Sequence, residues 1–296
     1  MSKIGWIIYN GNLPGNKFLD FAEMLFEAAS KQNSKTYIIK NNELLSSLST
    51  SNLEVLTDYE LPDYVIFTDK DIYLARQLES LGIPVFNRSD VIETSDDKVA
   101  TYQALAKQNL PIPKTIIAPK VYYNRKEKDL PNLDFIIEQL RFPMIVKEAY
   151  GSFGEQVYLI HTKKELEEKV QELYGKPFMF QEFIKSSEGK DIRLQVVGDK
   201  VVAAMKRYSE NDFRANITSG GKMVAYEPTE VAKEIAIQAS KAIGADFSGV
   251  DLLFGENDQY IICEINSNAH IRNLYDCTGI NAADAIVEYI LEKLRD

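Results

Sequence analysis

Cysteine and histidine are scarce in this chain of 296 residues: each occurs twice, and no Cys-x-x-Cys spacing is present. Cys263 and Cys277 therefore define no disulfide framework, and His161 and His270 stand too far apart in sequence to complete a structural zinc site. Long apolar runs are missing too, since none approaches the roughly 20 residues needed to span a bilayer. Met1-Ser2-Lys3-Ile4-Gly5-Trp6 leads directly into a strand pattern, without the apolar core and cleavage site of a signal peptide, so a cytoplasmic protein with no membrane partner is expected. Positive charge is in deficit, with 34 Lys and Arg against 44 Asp and Glu and a net charge of −10. That balance argues against nucleic-acid binding, which draws its affinity from Lys and Arg on phosphates. The basic stretch Lys120 to Lys128, with Arg125 and Lys126, reads as a solvated loop. Two nucleotide signatures are also absent: Gly-x-Gly-x-x-Gly, despite Gly11 and Gly15, and the Walker pattern ending in Gly-Lys-Ser/Thr. A dehydrogenase built on the N-terminal part is disfavoured by the first absence.

What is present begins with alternating strand and helix. Ile4 to Tyr9, Thr36 to Ile39, Tyr64 to Thr68 and Ile83 to Phe86 read as strands. Phe18, Phe21, Ala22, Leu25, Phe26 and Ala29 recur at helical spacing, and Asp71 to Leu81 forms a second helix that Gly82 can cap. This alternation predicts a small doubly wound lobe over residues 1–93, with ligands at the carboxyl ends of its parallel strands. Beyond it the pattern becomes α+β. A helix starts at Ser95-Asp96-Asp97-Lys98, strands are expected at Pro113 to Ala118, Phe142 to Ala149, Gln156 to Ile160 and Pro177 to Ile184, and subdomains are expected over 94–184 and 185–296. Asp191 to Val197 and Val201 to Arg207 flank the turn Gly198-Asp199, and helices are read at Thr229 to Ile243 and Asn281 to Leu294.

The most informative stretch is Tyr260-Ile261-Ile262-Cys263-Glu264-Ile265-Asn266, an apolar strand ending in polar groups. Period-two alternation puts Glu264 and Asn266 on one face, about 7 Å apart. Gly255-Glu256-Asn257-Asp258 turns the chain back from a preceding strand that carries Asp251, so a hairpin gathers three oxygen ligands suited to Mg²⁺, with Mn²⁺ as the alternative. An ordinary hairpin with solvated polar ends is the competing reading.

A lysine inside an apolar strand needs a partner, and Lys147 either pairs with Glu148 or another neighbour or faces a ligand anion. The following Tyr150-Gly151-Ser152-Phe153-Gly154 is a turn whose glycines leave N–H groups accessible to phosphate. Gln181 and Glu182, set among Phe178, Met179, Phe180 and Phe183, suit an adenine edge, or else an edge strand turned to water. The next strands deliver Asp191, Arg193, Lys206 and Arg207, and the loop from Ser209 to Lys222 collects Arg214, Asn216, Ser219, Gly220 and Gly221.

In this order, Lys98, Lys147, Gly151 to Gly154, Gln181-Glu182-Phe183-Ile184, Asp191-Ile192-Arg193, Arg214-Ala215-Asn216, Asp251 and Glu264-Ile265-Asn266 resemble the ATP-grasp ligases, most closely the RimK-type carboxylate–amine (glutamate) ligases. The resemblance runs from about residue 95 to the C-terminus. It implies a two-subdomain ATP-grasp fold behind the N-terminal lobe, with Lys98 and Lys147 on phosphates, Gly151, Ser152, Phe153 and Gly154 covering them, and Gln181, Glu182, Phe183, Ile184 and Asp191 around the adenine and ribose, with Asn216 also on the nucleotide. Asp251, Glu264 and Asn266 are assigned to metal, and Arg193 and Arg214 to the reacting carboxyl and phosphoryl groups.

The implied activity is ATP-dependent amide or peptide bond formation through an acyl phosphate, with release of ADP and phosphate. The substrates would be a carboxylate and an amine, such as glutamate or another amino acid added to a peptide, protein or small molecule. A non-catalytic ATP-binding module of the same fold, as in the synapsins, is the alternative. After the metal strand the chain reads Ser267-Asn268-Ala269-His270-Ile271-Arg272-Asn273 where glutamate-adding members commonly have Ser-Pro-Gly, and here it is more similar to the amino-group-carrier-protein ligases of lysine biosynthesis. Because this segment follows the metal ligands directly, Arg272 is expected in a pocket for a substrate carboxylate, with a surface salt bridge as its competing role. The oligomeric state is left open, a homo-oligomer included.

Overall fold

A computed structural model describes residues 3–121, 131–151, 154–215, 217 and 220–295. Ser152, Phe153, Asn216 and Ser219, and most of the basic stretch between Lys120 and Lys128, lie outside the described residues.

The first lobe contains β1 (Ile4–Tyr9), α1 (Lys17–Lys31), β2 (Lys35–Lys40), β3 (Leu45–Leu48), β4 (Leu53–Leu56), β5 (Tyr64–Phe67), α2 (Ile72–Ser80), β6 (Val85–Phe86) and α3 (Ser89–Asp96). Its parallel sheet has the order β2-β1-β5-β6. Alternation decides what each face meets: Ile7 and Tyr9 join a core with α1, whereas Trp6 and Ile8 join one with α2. Helices on both faces make the lobe doubly wound, as the sequence implies. The hairpin β3-β4 and helix α3 are additions that the sequence pattern does not reveal. Gln77 of α2 ties the hairpin down by donating to the carbonyls of Ser47 and Glu54 at 3.4 and 3.1 Å.

Next come α4 (Lys98–Lys107), β7 (Thr115–Ile117), α5 (Leu133–Leu140), β8 (Met144–Glu148), β9 (Val157–Ile160), α6 (Lys163–Glu172) and β10 (Phe178–Glu182). The four strands form an antiparallel sheet in the order β7-β10-β8-β9. One face, with Met144, Val146, Phe178 and Phe180, packs with α5 and α6 around its own core. The last part comprises β11 (Lys190–Val197), β12 (Lys200–Tyr208), β13 (Lys222–Ala225), α7 (Glu230–Ala242), β14 (Phe247–Phe254), β15 (Tyr260–Asn266), α8 (Arg272–Thr278) and α9 (Ala282–Lys293). Its antiparallel sheet runs β13-β12-β11-β14-β15. Ile192, Leu194, Val250, Leu252 and Ile262 bury one face against α7.

The cores do not follow the expected boundaries at 93/94 and 184/185. Val91, Leu105 and Leu110 pack into the α7 side of the five-stranded sheet. Ile7, Phe21 and Leu25 of the first lobe share a core with Met205, Phe247, Leu274, Ile286 and Ile290 near the C-terminus. No described helix is long and apolar enough to cross a membrane.

Asn87 fastens this shared region. Its side chain is 0% exposed, donates to the carbonyls of Phe247 and Ser267 at 2.9 and 3.0 Å, and accepts from the amides of Asp246 and Phe247 at 2.7 and 3.3 Å. Truncating it strands several buried backbone groups, each of which carries a desolvation penalty. Asn87→Ala is therefore expected to lower the unfolding free energy by about 2–4 kcal/mol. Denaturant titration provides the check, and a loss within the ordinary range of surface substitutions would remove Asn87 from this role.

Candidate active site

The five-stranded sheet has a second face with two characters. Side chains from β11, β12 and β14 share it at every second residue, and register aligns them in rows: Met205, Arg193, Asp251 and Glu264 in one, Arg207 and Asp191 in the next, and Gln195, Gly249 and Asn266 on the other side. Towards Phe247 and Val197 the face is apolar and packs on the first lobe. Towards Asp191 and Asp251 it is charged and borders a cavity of about 880 Å³. The hairpin expectation holds geometrically, since Asp251 lies opposite Glu264 and Asn266 follows two residues later on the same face. A register shift makes Cys263 the extra residue of a β-bulge, a feature with no signature in the sequence. Its carbonyl accepts from Tyr102 Oη at 2.6 Å and Lys147 Nζ at 3.3 Å. Gly249 has a steric reason: a Cβ there would stand 2.4 Å from that of Ala269, so only glycine lets the segment after β15 fold back over the sheet.

The four-stranded sheet supplies the facing wall. Ile145 and Lys147 of β8, Val157 of β9 and Gln181 of β10 all line the cavity, on the face opposite the core residues Met144, Val146 and Phe180. Successive residues of a strand point apart, so Glu148 is not the partner of Lys147. Glu148 instead accepts from Tyr158 Oη at 2.8 Å and pairs with Lys176 at 3.1 Å. Lys147 lies 5.6 Å from the centre of the Tyr102 ring. Gln181 sits on an interior strand, not an edge, and donates to Thr115 Oγ1 at 2.8 Å. The Glu182 carboxylate accepts from the amide of Lys114 at 2.7 Å. Beside them Phe183, Ile184, Phe213 and Leu253 give the cavity an apolar section.

Asp97 caps α4 by accepting from the amides of Val99 and Ala100 at 2.9 and 3.2 Å, which fixes Lys98 at the cavity. Lys98 Nζ donates to the Gly151 carbonyl at 2.7 Å and lies 3.4 Å from Glu264. The glycine turn uses left-handed backbone, with φ of +135° at Gly151 and +73° at Gly154. Arg214 bonds the Gly154 carbonyl through Nη1 and Asp212 through Nε and Nη2.

Several expected ligands are already engaged with one another. Arg193 forks onto Asp251 at 2.6 and 2.7 Å, Arg207 forks onto Asp191 at 2.7 and 2.6 Å, and Arg207 also reaches Asp251 at 2.9 Å. Asp191, expected at the ribose, thus has both oxygens on Arg207, and Asp251, expected as a metal ligand, anchors two arginines. Burial works against the Asp251 carboxylate, but Arg193 and Arg207 outweigh it and hold its pKa down, to about 2. Burial likewise opposes charge on Glu264, and Lys98 and Lys147 turn its pKa downward. Burial lowers the pKa of Lys98, with Glu264 offsetting part of the shift. Tyr102 and Cys263 are pushed up by burial to about 12 and about 11, so both are neutral at neutral pH.

The placement of Arg272 is a correction. It begins α8, outside the cavity lining, and forks onto Asp20 of α1 with contacts down to 2.6 Å. The surface pair, not the pocket, describes it. Asn10, Lys17, Asp69, Asn268 and His270, which sequence reasoning did not single out, line the cavity instead. Only the rule that ligands sit at the carboxyl ends of parallel strands pointed towards Asn10 and Asp69. Among the described residues, no cluster of three His, Cys, Asp or Glu side chains forms a ready-made metal centre. Buried polar atoms without a partner include Gln156 Oε1, Asn266 Nδ2 and Asn268 Oδ1, all on residues bordering the cavity.

Two facing sheets with a cavity between them form an ATP-grasp architecture. The ATP-grasp ligase PsnB, solved with minimal precursor, Mg and ADP, matches with a TM-score of 0.71 at 15% identity, covering 99% of this chain and 98% of that one. D-alanine–D-alanine ligase from Bacillus anthracis, complexed with ATP, matches with a TM-score of 0.71 at 16% identity, covering 99% and 97%. At these identities the likeness establishes the fold. The chain belongs to the RimK-like ATP-grasp domain family, whose model matches residues 95–290. Among its relatives, the probable alpha-L-glutamate ligase 1 of Shewanella sp. is 38% identical over 220 residues, 73% of this chain and 70% of that protein. N-acetylaspartylglutamate synthase A of Homo sapiens is 32% identical over 236 residues, 79% of this chain and 59% of that one. Beta-citrylglutamate synthase B of Homo sapiens is 31% identical over 246 residues, 80% and 62%. The chain spans about three fifths of the length of these two synthases.

His270 carries a pH dependence. Its ring lies edge-on to Phe18, with centroids 5.0 Å apart, and burial followed by the charges of Lys17 and Arg193 depresses its pKa to about 3. The unfolded chain protonates this residue below about pH 6.5 while the folded chain keeps it neutral, so its stabilising contribution is full above that value and falls as the pH drops towards 3. Denaturation at pH 7 and pH 5 is expected to show a larger stability gap between wild type and His270→Gln at pH 7. An equal gap at both values would contradict the buried neutral ring.

Proposed function

We propose that this protein is an ATP-dependent carboxylate–amine ligase that activates a carboxylate as an acyl phosphate and passes the acyl group to an amine, releasing ADP and phosphate. The observation that carries the reading is the pairing of walls: Lys147 and Lys98 border the same cavity as Glu264 and Asn266, with apolar surface from Ile145, Phe183, Ile184 and Leu253 beside them. The apolar section suits a purine, with Gln181 and Glu182 at its polar edge. The lysines suit the distal phosphates, and the glycine turn, tied at Gly151 and Gly154 to Lys98 and Arg214, suits a cover over them.

The donor set fits a hard cation, because Glu264 and Asn266 offer oxygens on one face and Glu264 is held only loosely by Lys98. These two residues would hold Mg²⁺ or Mn²⁺, with Asp251 opposite them keeping the arginines in place. When bound, the ion supplies neutralisation of phosphate charge. The chain's own part is positioning: Lys147 and Lys98 meet charge on the transferred phosphoryl group, and Arg193, oriented by Asp251, meets the carboxylate under attack. Amine attack then expels phosphate, and no protein nucleophile is required. The products named for the two human synthases contain glutamate joined to a citryl or N-acetylaspartyl group, which makes L-glutamate the first amine to try. The proposed setting is the cytoplasm, where ATP is supplied.

The experiment incubates the full chain with ATP, Mg²⁺ and L-glutamate, with citrate or N-acetylaspartate as the carboxylate, and identifies the nucleotide released. ADP with phosphate, dependent on both organic substrates, is expected. AMP with pyrophosphate would sink the acyl-phosphate reading, and ATP binding without turnover on a wider acid and amine panel would leave a binding module. Glu264→Gln keeps volume but removes a charge from the phosphate region, so ADP release is expected to fall on the order of 100-fold or more, with the thermal midpoint nearly unchanged. A near-normal rate at saturating Mg²⁺ would take Glu264 out of the metal site.

A further inference from the structure

The cavity has a second polar region that the phosphate chemistry leaves unused. It lies where β1 and β5 end, with Asn10 following the first and Thr68 and Asp69 following the second. These strands are neighbours, and the sheet extends from β1 to β2 on one side and from β5 to β6 on the other. Their carboxyl ends thus frame the point where the winding reverses, the place where doubly wound sheets lodge ligands. Here the crevice meets Asn266 to His270, the segment folded back after β15.

The groups gathered there are acceptors. Asp69 is 6% exposed, and its carboxylate receives Asn10 Nδ2 at 3.0 and 3.3 Å and the backbone amide of Lys70, which together still leave lone-pair capacity unused. Asn268 Nδ2 donates to the main-chain oxygen of Asp69 at 2.7 Å, and this orientation commits Asn268 Oδ1 to a buried position without a partner. The adjacent Lys70 ammonium pairs with Asp96. A carboxylate with spare capacity beside an orphaned amide oxygen suits a ligand rich in N–H donors and disfavours an anion. Elsewhere on the same lining the charge reverses. Lys17 of α1 borders the cavity, and burial together with the nearby charge of Arg193 lowers its pKa. A ligand spanning the two regions carries an ammonium and a carboxylate.

We propose that Asp69, held by Asn10, and Asn268 form the subsite for the ammonium group of an amino-acid substrate, with Lys17 on the side of its carboxylate. The assignment rests on the ligase reading for its purpose, while its chemistry can be tested apart from turnover. L-glutamate and glutarate differ by the amino group alone, and calorimetry on the full chain with Mg²⁺ and a non-hydrolysable ATP analogue measures both. Wild type is expected to bind L-glutamate at least ~10-fold more tightly, as a charge-assisted hydrogen bond implies. Asp69→Asn, isosteric and still able to accept from Asn10, should erase most of that preference without changing affinity for the analogue, and Asn268→Ala should reduce it several-fold.

Equal affinity of wild type for the two acids, binding of neither, or an undiminished preference in both variants overturns the subsite. If Asp69→Asn fails to fold, loss of analogue binding reveals it, and the Asn268→Ala preference decides alone. Failure of the ligase reading looks different: no substrate pair yields ADP, yet the amino-group preference persists.

Discussion

The charged face of the five-stranded sheet depends on mutual neutralisation in a place that water scarcely reaches. Asp191 and Asp251 are buried between Arg193 and Arg207, and any one of these charges left alone would carry a heavy desolvation cost. Forked contacts across three adjacent strands satisfy both carboxylates and hold both guanidiniums in fixed orientations. The strands can present such charges side by side because the reverse of the sheet is largely apolar and packs on α7, with Ser248 bonded to Ser240 as a buried polar contact there. Glu264, at the border of this network, is held less tightly than its neighbours, with Lys98 at 3.4 Å. The network therefore serves as a scaffold, and its loosest members face the space that a nucleotide would fill.

Period-two patterns made much of this legible. The common face of Glu264 and Asn266, the interior position of Lys147 and the hairpin that brings Asp251 opposite Glu264 all follow from strand alternation and turn composition, and the folded strands carry them there. Helix starts were readable where a side chain caps them, as Asp97 does for α4 and Thr229 for α7. Long-range pairing was not readable. Arg272 follows the metal strand closely in sequence, yet its partner Asp20 lies 252 positions away on the first helix, and nothing local announces that contact. The bulge at Cys263 and the Asn87 clamp are likewise products of register and docking. The β3-β4 hairpin has no apolar periodicity to announce it because its leucines Leu45, Leu48, Leu53 and Leu56 are exposed and Val55 alone of its apolar side chains is buried, in the core with α2.

The distribution of cores bears on how the cavity opens. The first lobe and the end of the chain share one apolar cluster, and α3 and α4 join another with the five-stranded sheet. Among the described residues, the four-stranded sheet and its two helices have a cluster of their own, from Ala118 to Phe180, that shares no residue with the others. Among the described residues, the links that join that block to the rest across the cavity include the hydrogen bonds of Lys98 to Gly151, Lys147 to Cys263, Arg214 to Gly154 and Tyr150 to Asp97, with the edge-on contact of Phe183 and Phe213 beside them. Water can replace each of those bonds at small net cost, whereas it cannot replace a buried apolar contact. In its apolar packing the molecule thus divides into this one block and an otherwise continuous body. The seam between them is closed by hydrogen bonds that solvent can exchange, and it borders the cavity that a nucleotide would fill under the proposed function.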